Sequence, residues 1–248
     1  MPTTRRKFDI NGSLSQLVLW LAAIISGAVT TSFLRAPLAN PAIGPATFTA
    51  HRLGGIAVAA LLVIVLLRDR RLAAAFVSAT AITGIMAGRS FAPSTAALHA
   101  WLAIVTAITL AAVTFPASSP GARVRWTAIV AHLGLILMVL QAAIGAMLRH
   151  QLASLGWHVL LAGLASIAVL VPAVSTLQRA ERDRRTLVCA SLAIGATVTQ
   201  VMLGTGVFAL MVAGNPTVTL WVSTTALHIV FGTLTVVATA VFAAALRA

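Results

Sequence analysis

The chain has 248 residues, 60% of them hydrophobic and 8% charged, against roughly 25% charged in an ordinary soluble domain. Mean hydropathy is +1.02, and 17 basic residues against 4 acids give a formal net charge of +13. These values exclude a soluble globular enzyme, a disordered tail and a secreted disulfide scaffold. They also direct the positive charge toward a bilayer rather than nucleic acid.

A helix that crosses hydrocarbon needs about 20 apolar residues. Uncharged runs of that size predict eight spans, at 14–34, 51–67, 72–88, 95–115, 127–148, 154–177, 187–212 and 216–246. Ahead of span 1, Thr4-Arg5-Arg6-Lys7-Phe8 resembles a twin-arginine export signal, and Ser26-Gly27-Ala28 resembles a cleavage site. The uncharged run that follows exceeds the 7–15 residues common in a signal core, so a retained first helix is expected. The connectors carry turn residues: Pro37, Asn40 and Pro41; Pro93 and Ser94; 116–121; Gly214, Asn215 and Pro216.

Charge sets the expected orientation. Arg5, Arg6, Lys7, Arg68, Arg70, Arg71, Arg123, Arg125, Arg179, Arg182, Arg184, Arg185 and Arg247 fall on one side. All four acids, Asp9, Asp69, Glu181 and Asp183, fall there too. The other side carries only Arg35, Arg52, Arg89 and Arg149. The positive-inside rule places both termini in the cytoplasm of a bacterial inner membrane.

The eight spans read as an internal duplication. Odd spans carry glycine near their outer ends: Gly27, Gly84 and Gly88, Gly145, and Gly204 with Gly206. Each even span returns with one histidine: His51, His99, His158 and His228. The fold expected is all-α, with two pseudo-repeated four-helix bundles over residues 1–122 and 123–248.

The four histidines lie 16 to 19 residues from the cytoplasmic ends of their spans, or roughly 24–29 Å at the helical rise. They therefore share one layer near the outer face. Ionisable residues at such depth are expensive and mark function. A haem iron takes two axial imidazoles from facing helices of a bundle. The neighbouring Gly54, Gly55, Ala96, Ala97, Ala100, Gly156, Ala162, Gly163 and Gly232 would leave room for a flat macrocycle. A zinc site would want three or four ligands, and no acid lies at this level. The one cysteine, Cys189, excludes an intrachain disulfide. Arg52, Arg89 and Arg149 are expected haem contacts through propionate pairing. Arg35 suits that role or simple snorkelling to water equally. His132 reads as an interhelical hydrogen bond and His150 as a rim residue. The five tryptophans read mostly as interface anchors, with haem contact open to Trp101 and Trp157.

These residues resemble the heme A synthase family over all eight spans. The most specific segments are Thr49-Ala50-His51-Arg52-Leu53-Gly54, Ile144 to His150, and Gln200 to Gly204 with His228. The resemblance implies two bis-histidine haem sites: His51 and His99 around a haem b, O or A, and His158 and His228 around a haem b. It also implies oxidation of a haem O methyl to the formyl of haem A. The family's glutamate three residues before the first histidine is here Phe48, so the catalytic residue is unknown. The leading expectation is electron transfer beside a respiratory oxidase or quinol-linked partner, with no nucleic-acid role. An active divergent synthase and a haem-free assembly subunit are the alternatives. A transporter fits less well, because four spans return the chain to the same side and no broken midplane helix pair is evident.

Overall fold

A computed structural model of the chain describes residues 10–34, 43–67, 70–90, 92–115, 125–179, 183–214 and 216–246. Arg5, Arg6, Lys7, Asp9, Arg35, Arg68, Asp69, Arg123, Glu181, Arg182 and Arg247 lie outside the described residues, as do the turn positions Pro37, Asn40, Pro41, 116–121 and Asn215. Among the described residues there are eight α-helices and no strand. They are α1 (Ile10–Leu34), α2 (Ile43–Leu67), α3 (Arg71–Ser90), α4 (Pro93–Thr114), α5 (Arg125–Arg149), α6 (Leu155–Leu177), α7 (Arg184–Ala213) and α8 (Val218–Ala245).

Seven of these, α2 to α8, are long and apolar enough to cross a membrane. The apolar stretch described in α1, Leu14–Thr30, is shorter. Helix α2 begins at Ile43, eight residues before the expected start at His51. Pro45 does not prevent this. It falls in the first turn of α2, where a missing N–H costs no hydrogen bond within the helix. His51 therefore lies two turns inside α2 rather than at its mouth.

Short connectors make successive helices antiparallel. Helix α1 packs on α2 and α4, α2 on α3, and α3 on α4. Helix α5 packs on α6 and α8, α6 on α7, and α7 on α8. Contacts α1–α8, α4–α5 and α4–α8 join the two groups. Helix α8 is the most enclosed of the spanning helices, because it has neighbours on several sides.

Small residues dominate the interior, as expected where helices associate by close packing in lipid. One cluster holds Leu17, Trp20, Leu62, Leu66, Ala73, Ala74, Val77, Ala107, Leu110 and Ala111. The other holds Ala131, Met138, Ala165, Val169, Ala173, Ala190, Ala193 and Phe242. Buried threonines satisfy their hydroxyls on their own helices: Thr176 donates to Pro172 O, Thr197 to Ala193 O and Thr239 to Thr235 O, each at 2.7 Å. Thr80 and Thr106 join α3 to α4 through a 2.9 Å hydroxyl pair. No water is needed for these groups within the bilayer.

Trp20 departs from the interface-anchor expectation. It is buried, and its indole N–H donates to Ala103 O on α4 at 2.9 Å. Trp101 likewise donates to Val139 O on α5 at 3.3 Å. Both are struts between helices. Pro172 interrupts α6 and leaves the Ala168 carbonyl without its usual N–H donor from residue 172. Gly134 of α5 sits against that carbonyl: an added Cβ there would lie 2.8 Å from Ala168 O.

The ends are capped locally. Asp183 starts α7 by accepting from Thr186 N at 2.9 Å and Thr186 Oγ1 at 2.6 Å. Both bonds hold its carboxyl below the usual carboxylate range. Gly214 ends α7 at φ 79°, and Thr217 opens α8 by accepting from Leu220 N.

Candidate functional site

The arrangement of the histidines follows from helix-hairpin register. In an antiparallel pair, residues equally far from the turn lie at the same height, because both helices rise about 1.5 Å per residue. Gly27 is eighth from the end of α1 and His51 is ninth in α2. Gly84 is seventh from the end of α3 and His99 seventh in α4. Gly145 is fifth from the end of α5 and His158 fourth in α6; Gly204 is tenth from the end of α7 and His228 eleventh in α8. Each histidine is thus level with a glycine of the preceding helix.

The contacts are direct. A Cβ added to Gly27 would lie 2.9 Å from His51 Cε1, and one on Gly84 would lie 2.8 Å from His99 Cε1. The corresponding distances are 3.1 Å for Gly145 to His158 and 3.0 Å for Gly204 to His228. All four imidazoles pack against helix backbone at a glycine, where an added Cβ would fall within 3.1 Å of the ring.

The rings then meet in two pairs. His51 and His99 have ring centroids 6.3 Å apart with planes at 57°. His158 and His228 have centroids 6.4 Å apart with planes at 77°. The pairs join α2 to α4 and α6 to α8. No group of three or more His, Cys, Asp or Glu converges among the described residues. Each pair therefore offers two imidazoles to a single bound group.

Hydrogen bonds orient the rings. His99 Nδ1 lies 2.9 Å from Thr80 O. A carbonyl can only accept, so Nδ1 carries the proton and Nε2 keeps its lone pair. His51 Nδ1 pairs with Ser26 Oγ at 3.2 Å. In the other half the partners are amides: Gln141 Nε2 is 3.0 Å from His158 Nδ1, and Gln200 Nε2 is 3.5 Å from His228 Nε2. Gln141 Oε1, Gln200 Oε1 and His228 Nδ1 are buried without a hydrogen-bond partner. Amide oxygen and nitrogen have nearly the same shape, so a half-turn of either glutamine presents an acceptor to its histidine.

Thr80, Gln141 and Gln200 each lie four residues before a seating glycine, one helical turn away. Ser26, by contrast, directly precedes Gly27. Gln141, Gln200, Thr80 and Ser26 all escaped the reading of the sequence as ring partners. The signal for Gln141 was present: a long polar side chain in an apolar run, at the offset that Gln200 keeps from Gly204.

The other expected positions divide. Arg149, half-buried in the last turn of α5, continues the stripe Gln141–Gly145–Arg149 and interacts electrostatically with His228. Arg52 and Arg89 are exposed. Gly54, Gly55, Gly156 and Gly163 face open space. Gly232 serves differently: an added Cβ would lie 3.0 Å from Gln200 Nε2, so it makes room for that glutamine. Phe48 places its ring edge where an added Gly88 Cβ would be 3.5 Å away. His132 Nδ1 bonds Ala128 O of its own helix at 2.6 Å. His150 lies in the turn after α5, its N–H bonded to Met147 O and Ala146 O. Trp157 is exposed.

The chain matches no protein-family model, no curated protein and no solved structure.

Proposed function

We propose that this is an integral membrane protein that binds two b-type haems and passes single electrons near the outer face of a bacterial cytoplasmic membrane. It is a duplicated four-helix unit with eight spans, residues 1–122 and 123–248, and both termini on the arginine-rich cytoplasmic side. The carrying observation is the pair of imidazole couples, each ring seated on a glycine of the neighbouring helix. In a bis-imidazole complex each nitrogen stands about 2 Å from the metal and each ring centre about 1 Å further, so centroids fall roughly 6 Å apart. The observed 6.3 Å and 6.4 Å suit that geometry. The contact pattern, with α1, α4, α5 and α8 exchanging equivalent neighbours, supports the duplication.

His51 and His99 would hold the N-terminal haem, and His158 and His228 the C-terminal one. The bound group supplies a one-electron couple. The chain fixes the ligands: Thr80 O holds the His99 tautomer, and Ser26, Gln141 and Gln200 orient the other rings. Such outer partners tune a ligand's basicity. Arg149, whose charge acts on His228, would pair with a haem carboxylate. Arg52 and Arg89 are assigned the same role at the exposed rim.

The resemblance to heme A synthases supports the same fold and ligand set. Phe48, beside Gly88, occupies the position of the family's glutamate, and this favours electron transfer over methyl oxidation. A general base is needed to take protons from the reacting centre, and a phenyl ring cannot do so. The partner would be a respiratory oxidase or a quinol-linked redox protein. The test is haem extraction and a reduced-minus-oxidised spectrum of purified protein. Two haems per chain with a bis-imidazole α band are expected; absence of pigment from protein made with ample haem overturns the proposal. Haem A accumulating on co-expression with a haem O synthase would overturn the electron-transfer assignment in favour of the enzyme.

A further inference from the structure

A second feature lies on the other side of the histidine layer. A groove of about 890 Å³ runs between α7 and α8 and reaches Phe115 at the end of α4. That volume is near the upper end of ordinary ligand sites. Its walls are Val188, Leu192, Phe231, Leu234, Val237 and Val241, and Gly195, Ala196 and Ala238 keep its floor low. No atom stands within 4 Å of where a Gly195 Cβ would be. Arg184 and Arg185 line one end. On α7 the lining extends to Thr199, so the groove is about 22 Å long by helical rise. One leaflet of hydrocarbon is roughly 15 Å deep, so the groove is long enough to take an extended acyl chain.

The geometry points to a binding site for one anionic phospholipid, with its phosphodiester on Arg184 and Arg185 and an acyl chain along the α7–α8 groove. Guanidinium groups match phosphate oxygens bidentately. Basic pockets between membrane helices on the cytoplasmic side recognise anionic headgroups in this way. Asp183, the acid among the described residues at this end of α7, is held by Thr186 through two hydrogen bonds, so it is turned to the helix start. A soluble anion would leave the apolar channel empty. The lipid would also fill the space between α4 and the α7–α8 pair, since Phe115, Val237 and Val241 belong to the packing that joins the two halves. It would act as a structural ligand, independent of the imidazole pairs.

The experiment uses full-length protein in neutral detergent, exchanged free of native lipid. Dioleoyl phosphatidylglycerol and dioleoyl phosphatidylcholine are added separately and in competition. Thermal unfolding and native mass spectrometry are the readouts. The wild type should retain one phosphatidylglycerol and prefer it by roughly tenfold or more, as two arginines near a headgroup imply. Its unfolding temperature should rise with that lipid and much less with phosphatidylcholine. R184Q/R185Q should bind both lipids alike. Gly195→Leu, which fills the groove and keeps both charges, should lose the retained lipid. Equal retention of the two lipids by the wild type overturns the proposal, and so does an intact preference in R184Q/R185Q. If Gly195→Leu keeps the lipid, the groove assignment falls. The wild-type competition stands whether or not a variant folds.

Discussion

Gly84 of α3 supports the imidazole of His99 on α4 so closely that a single added carbon would stand 2.8 Å from Cε1 and 3.0 Å from Nδ1. The same ring is held from below by Thr80 O, one turn earlier on α3. One helix therefore supplies both the space for the ring and the acceptor that sets its proton. Gly84→Ala should push the ring off this seat and cost about 1–3 kcal/mol, the usual range for overpacking. Gly54→Ala, with nothing within 4 Å, should be neutral or stabilising by up to about 1 kcal/mol. Denaturant or thermal unfolding in detergent compares the two, and haem content should fall only for Gly84→Ala.

The pairing of histidines predicts stoichiometry. His51→Ala and His158→Ala should each lower haem from two per chain to one. The double variant should bind none. His132→Ala, whose ring nitrogen is tied to Ala128 O of its own helix, should keep both. Haem-to-protein ratios and the reduced spectrum check this, and the remaining band in each single variant identifies its site.

Gly134 and the Ala168 carbonyl give a prediction about packing alone. Both nearest atoms to an added Cβ are backbone, at 2.8 Å and 3.0 Å, and backbone cannot swing aside as a side-chain tip does. Gly134→Ala should therefore separate α5 from α6 and cost about 1–3 kcal/mol. Gly163→Ala on α6, facing open space, should be tolerated. Thermal unfolding of the two variants in one detergent is the comparison.

Asp183 gives a pH prediction with a defined sign. Bonds from Thr186 depress its folded pKa. Its contribution is complete above the unfolded carboxylate value of about 4 and is lost as pH falls through the lower folded value. Asp183→Ala should cost about 1 kcal/mol at neutral pH, the usual worth of an N-cap. The loss relative to wild type should shrink as the wild-type carboxyl protonates at strongly acidic pH. A difference that stayed constant down to that range would assign the effect to something other than the cap.

Much of this architecture was legible in the residues. Span length and charge marked the helices, because hydrocarbon demands continuous apolar runs and excludes arginine from them. The start of α2 lies eight residues before the expected 51, because a helix can extend beyond the apolar run that crosses hydrocarbon, and Pro45 is harmless in a first helical turn. The expected alternation, glycine in odd spans and one histidine in each even span, matches the helices on which those residues stand.

What the chain alone could not express is which face of each helix turns inward. Every span is apolar around most of its circumference, so no amphipathic stripe distinguishes lipid from neighbour. Tertiary packing decided that Trp20 is a buried strut, that Gly232 makes room for Gln200 while Gly54 faces open space, and that Gln141 reaches His158. It also set the separation of the imidazole pairs and opened the groove above Arg184 and Arg185. Composition and spacing determined that four histidines return opposite four glycines. Only the close approach of helix backbones, which depends on all neighbours at once, decided that each glycine carries a ring.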